Sequence, residues 1–366
     1  MPPRFTPLAA SLPSIVPFVG PEAQERARGG AFQARIGANE SVFGPSPNAV
    51  AAMREAAAAC WMYCDPENHD LKTALARAHG VSFDNIVVGE GIDSLFGYTV
   101  RLFAEPGDTI VSSLGAYPTF NFHVAGFGAK LVTVPYVDDK EDPSSLIDAV
   151  RRERPKLVYF ANPDNPMGSF WPAEAVRAFI DAVPEDTVLV LDEAYIEFAP
   201  PGTAPALDVS RPNVIRYRTF SKAYGMAGAR VAYAIAEAGL AKAFDKVRNH
   251  FSVNRIAQAG ALAALADQDY LRAVRGKVAH AIAAIGGIAR ANGLTPLPTA
   301  ANFVAIDCGR DGAYARRVLD GLIARGVFVR MPGVAPLNRC IRVSAGTDGD
   351  LAAFAAALPE ALAEAG

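Results

Sequence analysis

The chain lacks the features that mark membrane, secreted and nucleic-acid-binding proteins. No apolar run in its 366 residues is long enough to span a bilayer. The mildly apolar stretch LAASLPSIVPFVG is broken by Pro13 and Pro17 and has no basic n-region, so we expect no signal peptide. The 35 basic and 38 acidic residues are balanced, and Lys and Arg form no run, which disfavours nucleic acid as a partner. The four cysteines have no paired spacing and no accompanying histidines, which predicts a reducing compartment, the cytoplasm, and no metal site.

The apolar runs that are present predict an α/β fold. Between residues 85 and 236 they alternate with helical stretches, which is typical of a seven-stranded, mostly parallel sheet flanked by helices. The runs are 86–88, 109–113, 131–136, 157–161, 188–195, 214–218 and 231–236, and helices are predicted between them at 94–104, 118–126, 144–153 and 172–183.

The length of the chain and a change of pattern near residue 240 predict two domains. An Ala-rich helical stretch runs from Gly239 to Asn292 with one break near Asp267, and strands alternate with helices after it. We expect an N-terminal arm that includes part of the small domain at 1–45, a large domain at 46–245 and a small α+β domain at 246–366.

Lys222 stands out because it lies between two apolar strands. Burying an ammonium group without a partner is costly. This favours a lysine held as a Schiff base to a carbonyl cofactor, as in pyridoxal 5'-phosphate (PLP) chemistry. Thr219, Ser221 and Arg230 lie near it in the chain and are placed to bind a phosphate. The alternative is a surface lysine at the tip of a hairpin.

Other polar residues follow the predicted strands, at the edge where parallel α/β sheets bind their ligands. Asp192 either pairs with a cation such as a protonated pyridine nitrogen or caps a helix, and Tyr195 follows it by three residues. Asn165 lies in a turn, where its amide either donates to a cofactor oxygen or serves the turn alone. Tyr117 either stacks on an aromatic ring or packs in the core.

The segment Gly89–Asp93 follows one strand and precedes a helix. Its small residues let backbone N–H groups approach a phosphate. A third glycine is missing, so the segment does not match a dinucleotide fingerprint, which disfavours a nicotinamide-dependent dehydrogenase.

Seven motifs occur in order along the chain, namely GANE near residue 39, YCDP at 63–66, GEGIDS at 89–94, NPDNPMG at 162–168, LDEAYIEF at 191–198, TFSKAYGMAGAR at 219–230 and IRVSAGT at 341–347. Together they resemble the class I/II aminotransferases of fold type I, and most closely the histidinol-phosphate aminotransferase branch. The likeness extends from about residue 12 to the end of the chain. It implies the PLP-dependent transferase fold, PLP as cofactor and a homodimer.

The resemblance implies a role for each matching residue. Lys222 is expected to bind the cofactor covalently and to carry a proton as general base and acid. Asp192 is expected at the pyridine nitrogen, and Tyr117 against the ring. Asn165 and Tyr195 are expected at the phenolic oxygen. The residues expected around the cofactor phosphate are Gly91, Ile92, Asp93, Thr219, Ser221 and Arg230.

The resemblance also implies contacts with the substrate and with a second subunit. Arg342 is expected to grip a carboxylate in a two-pronged bond, which lysine would not reproduce, and Asn39 is expected to assist it. Arg330 is expected to meet a substrate phosphate. Tyr63 is expected to reach into the neighbouring subunit's site. Phe18 stands where related enzymes often have a phosphate-binding tyrosine, which tilts the pocket toward an aromatic amino acid.

We therefore expect a ping-pong aminotransferase that acts on a small-molecule amino donor and a 2-oxo acid, without a membrane partner. Histidinol phosphate with 2-oxoglutarate is the first choice, and an aromatic amino acid such as phenylalanine is a close second. A PLP decarboxylase or β-lyase is a more remote alternative on the same fold. A regulatory domain that senses PLP is disfavoured, because the short N-terminal arm leaves no room for a helix-turn-helix.

Overall fold

The computed structural model describes residues 4–14 and 19–366, so the predicted substrate residue Phe18 lies outside the described residues. The helices are α1 Pro7–Ser11, α2 Pro21–Arg28, α3 Pro47–Ala57, α4 His69–His79, α5 Ile92–Phe103, α6 Pro118–Gly126, α7 Pro143–Glu153, α8 Ala173–Ala182, α9 Ala238–Ala243, α10 Arg255–Ala266, α11 Gln268–Ala291, α12 Gly312–Ala324 and α13 Asp348–Ala365. The strands are β1 Ala34–Arg35, β2 Ile86–Gly89, β3 Thr109–Ser113, β4 Lys130–Val134, β5 Leu157–Ala161, β6 Val188–Asp192, β7 Val214–Thr219, β8 Ala232–Ile235, β9 Thr295–Pro296, β10 Phe303–Asp307, β11 Val327–Phe328 and β12 Cys340–Ser344. No helix within these two ranges is long and apolar enough to cross a membrane.

The predicted sheet is present as a seven-stranded sheet in the order β2-β8-β7-β6-β5-β3-β4. Every pairing is parallel except the two that β8 makes, with β2 and with β7. Strands β5 and β6 are buried along their whole length, because helices α5 and α6 pack on one face and α7 and α8 on the other. The predicted α/β fold with a mostly parallel seven-stranded sheet is confirmed.

The Ala-rich stretch Gly239–Asn292 is divided further than its sequence suggests. It contains most of α9 together with α10 and α11, and the segment 244–254 is not α-helical, in addition to the break at Asp267. Asn254 and Asp267 each accept a hydrogen bond from a backbone N–H of the helix that follows. Such side-chain caps satisfy N–H groups that have no partner within the helix, which explains why α10 and α11 begin where they do.

A second group of strands lies outside the large sheet. Strands β12, β10 and β9 form an antiparallel sheet, and β1 pairs in parallel with β11. With α11, α12 and α13 they enclose a core that includes Val304, Ile341 and Phe354. Helix α10 instead packs against α3 and buries Ala257 and Ala261 in the core beside the large sheet. The division of the chain after residues 45 and 245 stays a prediction.

The large sheet brings the expected functional segments to one edge. Strands β2, β3, β5, β6 and β7 run in one direction, so their carboxyl ends meet at the same edge. The residues at or just beyond these ends are Gly91, Ile92 and Asp93 after β2, Tyr117 after β3, Asn165 after β5, Asp192 and Tyr195 at the end of β6, and Thr219, Ser221 and Lys222 at the end of β7.

Candidate active site

A cavity of about 200 Å³ lies at this edge of the sheet. It is lined by ten of the residues that the sequence singled out, namely Ile92, Asp93, Tyr117, Asn165, Asp192, Tyr195, Thr219, Ser221, Lys222 and Arg230. Five further lining residues were not anticipated, namely Ala38, Glu40, Pro163, Ala194 and Ala227. The sequence pattern and the cavity therefore point to the same part of the molecule.

Lys222 is half-buried and faces this cavity. Its Nζ donates a hydrogen bond to the backbone oxygen of Asn39 at 3.2 Å and lies 5.6 Å from the centre of the Tyr195 ring. The turn that carries the lysine is tightly packed. A Cβ built on Gly225, where φ is +68°, would lie 2.8 Å from the backbone nitrogen of Pro45, so only glycine fits there.

Asp192 is a buried carboxylate with 6% of its surface exposed. Its Oδ2 accepts a hydrogen bond from the Tyr159 hydroxyl at 2.7 Å, and its Oδ1 accepts one from the Ala194 N–H at 2.9 Å. Burial raises the pKa of Asp192 to about 6, and these two hydrogen bonds oppose the rise. Among the described residues, Asp192 forms no salt bridge. A buried carboxylate of this kind is well suited to a cation that a ligand brings.

Two side-chain amides form hydrogen bonds with the Tyr195 hydroxyl. It accepts hydrogen bonds from Asn39 Nδ2 at 3.0 Å and from Asn165 Nδ2 at 3.4 Å. Arg342 in turn donates from Nη1 to Oδ1 of Asn165. Burial lowers the pKa of Arg342 to about 10, so the guanidinium remains charged near neutral pH.

Asn39 is held in place from several sides. Its backbone is left-handed, with φ of 55°. The Ser344 hydroxyl accepts from the Asn39 N–H at 3.0 Å and donates to the Asn39 side-chain oxygen at 2.9 Å. Asn302 Nδ2 donates to the Asn39 backbone oxygen at 3.1 Å, next to the bond from Lys222. Asn39 therefore links Ser344 of β12, and Asn302 directly before β10, to both Tyr195 and Lys222.

The N-terminus of α5 borders the cavity through Ile92 and Asp93. Gly91 precedes this twelve-residue helix with φ of +99°, and a Cβ at Gly91 would lie 2.9 Å from Cζ of Arg230. Arg230 Nη2 is 3.8 Å from Oδ2 of Asp93, and the Tyr117 hydroxyl donates to Oδ1 of Asp93 at 3.0 Å. Free N–H groups at a helix start, a guanidinium and the hydroxyl of Ser221 together suit a phosphate.

These groups match the chemistry of PLP. A lysine amine suits its aldehyde, the buried Asp192 suits a protonated ring nitrogen, and the α5 N-terminus with Arg230 suits its phosphate. Because Gly91 has no side chain, Arg230 lies close to the start of α5, in a position that a Cβ at Gly91 would occupy. The residues present therefore fit this cofactor.

Five expected residues lie outside the lining of the cavity, and one of them is Gly91, directly before the start of α5. Arg330 and Arg342 are joined by two backbone hydrogen bonds, and Arg330 Nη2 donates to the Val19 oxygen at 2.8 Å. Tyr63 has 80% of its surface exposed, and its ring centre is 4.8 Å from that of Phe251. The fifth is Asn39, which borders the cavity through its hydrogen bonds with Lys222 and Tyr195.

Several contacts of the site were not predicted from the sequence. Tyr159 lies in an apolar strand and carries no local signal of its bond to Asp192. For Ser344 the sequence did contain a signal. Ser344 stands two residues after Arg342 in β12, and alternate residues of a strand face the same side. Glu40 directly follows Asn39 and had no role assigned to it.

Comparison with known proteins identifies relatives along nearly the whole chain. The family model for aminotransferase class I and II matches residues 33–358. The histidinol-phosphate aminotransferase 2 of Ralstonia nicotianae is 36% identical over 360 residues, which cover 96% of each chain. The histidinol-phosphate aminotransferase 2 of Carboxydothermus hydrogenoformans is 35% identical over 94% of this chain and 95% of its own.

Solved structures of aminotransferases are also similar to this chain. The histidinol-phosphate aminotransferase from Sinorhizobium meliloti, in complex with PLP, superimposes with a TM-score of 0.96 and 59% identity over 98% of each chain. A Thermus thermophilus aspartate aminotransferase single mutant, at 22% identity, shares the fold with a TM-score of 0.82 over 98% of this chain and 100% of its own. Since the family model spans most of the chain and these relatives match it end to end, the protein belongs to the class I and II aminotransferases.

Proposed function

We propose that the protein is a PLP-dependent aminotransferase that transfers the amino group of histidinol phosphate to 2-oxoglutarate. The observation that carries the proposal is that Lys222 and Asp192 line one cavity together with the N-terminus of α5 and Arg230. The names of the relatives support the donor, because those at 35–36% identity and the structural neighbour at 59% are histidinol-phosphate aminotransferases.

We assign the cofactor contacts as follows. Lys222 is the covalent anchor, and Asp192 holds the ring nitrogen in its protonated form. Tyr195 and Asn165 bind the phenolic oxygen, and Tyr117 lies against the ring. The residues assigned to the phosphate are Gly91, Ile92 and Asp93 at the start of α5, together with Thr219, Ser221 and Arg230.

When bound, PLP accepts the amino group and stabilises negative charge at the carbon that loses a proton. Lys222 Nζ is the group that takes this proton and delivers it to the neighbouring carbon. Its bond to the Asn39 carbonyl keeps the amine at the cavity while it is free. The Tyr195 hydroxyl already accepts two amide N–H groups, so its own proton is available to an oxygen of the ligand.

The adjacent residues Arg330 and Arg342 favour a substrate that carries two negative charges. The reciprocal backbone bonds between Arg330 and Arg342 keep their positions next to each other. A phosphate monoester carries close to two negative charges near neutral pH, and arginine binds phosphate oxygens in a forked pair of bonds. We assign the substrate anion to this pair, and we assign to Asn39 the task of orienting Arg342 through Tyr195 and Asn165.

We further propose that two copies of the chain form the active unit, in the cytoplasm. Trp61 and Tyr63 have more than three quarters of their surface exposed, and Phe251 has half. Burying such rings against a second copy is favourable, and Tyr63 is the residue that we expect to enter the partner's site. All four cysteines are unpaired, which suits a reducing compartment.

A half-reaction assay tests the function. The purified protein is loaded with PLP and mixed separately with histidinol phosphate, phenylalanine and glutamate, while absorbance reports conversion of the cofactor to its amino form. We expect rapid conversion with histidinol phosphate and return of the starting spectrum on addition of 2-oxoglutarate. Conversion of the cofactor with phenylalanine but not with histidinol phosphate would instead identify an aromatic aminotransferase. Product release without any amino form of the cofactor would identify a decarboxylase or lyase.

A further inference from the structure

Tyr159 forms a buried hydrogen bond with Asp192, and the cofactor and substrate roles proposed above do not include this tyrosine. Its hydroxyl donates to Asp192 Oδ2 at 2.7 Å. Tyr159 lies on β5 opposite Val190 of β6, and Asp192 is two residues further along β6. Both side chains therefore extend from the same face of the sheet, and the tyrosine approaches the carboxylate from within the protein.

The ring of Tyr159 is fixed by its neighbours. It stacks on Phe120 with ring centres 4.8 Å apart, and it meets the edge of Phe96 at 5.7 Å. The residue is fully buried. A phenylalanine would fill the same space, so packing alone does not require the hydroxyl. Its presence has a cost of desolvation, which the bond to Asp192 offsets.

The hydrogen bond from Tyr159 affects both the orientation of the Asp192 carboxylate and its charge. With Ala194 N–H on one oxygen and Tyr159 on the other, the plane of the carboxylate is fixed. Within residues 4–14 and 19–366 each oxygen accepts one hydrogen bond, and a carboxylate oxygen can accept a second. Burial favours the neutral acid, whereas a donated hydrogen bond favours the ionised form.

We propose that Tyr159 is a positioning residue that keeps Asp192 ionised and oriented toward the ring nitrogen of the cofactor. The proposal rests on the proposed function, because that function supplies the ring nitrogen. Without the hydroxyl, the carboxylate becomes a stronger base. The proton shared between Asp192 and the ring nitrogen then shifts toward Asp192, and the ring loses part of its capacity to accept electrons.

Tyr159→Phe is the test, and Tyr217→Phe is its matched control. Tyr217 is also fully buried, lies in the same core and meets Phe96, but its hydroxyl is 2.6 Å from the Thr99 hydroxyl. Each substitution therefore removes one buried hydrogen-bonded hydroxyl, and only the first removes a donor to Asp192.

The proteins are loaded with PLP carrying nitrogen-15 in its ring, and the nitrogen chemical shift is read by NMR at one fixed pH. We expect the wild type and Tyr217→Phe to show a protonated nitrogen, and Tyr159→Phe to move toward the unprotonated position. For Tyr159→Phe we also expect kcat to fall about tenfold, with KM for histidinol phosphate changed less than about twofold. In an Asp192→Asn background, Tyr159→Phe should have no further effect on kcat, because the carboxylate is already absent.

The outcomes separate this inference from the function on which it rests. A wild-type protein that binds no PLP, or shows an unprotonated ring nitrogen, would count against the proposed function. A normal wild-type signal with an unchanged Tyr159→Phe signal would overturn the role of Tyr159 alone. Equal changes in Tyr159→Phe and Tyr217→Phe would also overturn it, since they would reflect a loosened core rather than the bond to Asp192.

Discussion

Substitution of Gly91 by alanine is expected to weaken PLP binding by displacing Arg230. A Cβ at Gly91 would lie 2.9 Å from Cζ of Arg230 and closer still to Nη2. Because the guanidinium is the end of a flexible side chain, it is expected to move rather than prevent folding. Its present bonds to the Ala227 oxygen and to Asp93 are long or exposed, so they offer little resistance.

The expected effect of Gly91→Ala has two separable parts, a loss of folding stability and a loss of PLP affinity. A residue with a Cβ at φ of +99° is strained by about 1–3 kcal/mol, which lowers the stability of the folded protein. Loss of a charged hydrogen bond to phosphate is worth about 1.5–3 kcal/mol, which corresponds to a PLP dissociation constant about 10- to 100-fold higher. Gly107 has φ of +95°, and a Cβ added to it would meet no atom of the described residues within 4 Å, so Gly107→Ala introduces the backbone strain without the clash.

Thermal unfolding of the cofactor-free proteins and titration with PLP measure the two parts. Both variants should lose comparable stability, and only Gly91→Ala should lose PLP affinity. An unchanged dissociation constant in Gly91→Ala would refute the assignment of Arg230 to the phosphate. Equal losses of affinity in the two variants would show that backbone strain, rather than the position of Arg230, controls binding.

The remaining predictions concern subunit sharing, pH and the substrate anion. Mixing Tyr63→Phe with Lys222→Ala subunits should restore activity, because one site of the mixed dimer then has both native residues; no recovery would contradict sharing across subunits. Since the pKa of Asp192 is raised to about 6, its contribution to stability is present at low pH and is lost as pH rises through that value. Asp192→Asn should therefore remove about 1 kcal/mol of the gain in cofactor-free stability between pH 7 and pH 5, measured by urea unfolding; an unaltered pH profile would argue against a raised pKa. Arg342→Lys should raise KM for histidinol phosphate about tenfold while the PLP dissociation constant changes little; a normal KM would place the substrate anion elsewhere.

The elements that the sequence predicted well are those with a strong local pattern. The runs 109–113 and 157–161 are strands with these bounds, and 118–126 is a helix with these bounds. The run 157–161, LVYFA, is apolar throughout, as is typical of a parallel strand buried on both faces, so its ends are visible in the sequence. The sequence did not predict the interruption of α-helix at 244–254, because this segment, FDKVRNHFSVN, contains neither proline nor glycine.

The amino-acid sequence by itself determined which chemical groups stand at the carboxyl ends of the strands. Lys222, Asp192 and Asn165 follow from chain order, since parallel strands deliver their ends to one edge. Only the tertiary structure decided how these groups are held. The bonds from Tyr159 to Asp192 and from Ser344 to Asn39 join residues 33 and 305 positions apart. Such contacts depend on strand register and on the packing of separate elements, which no local pattern of residues encodes.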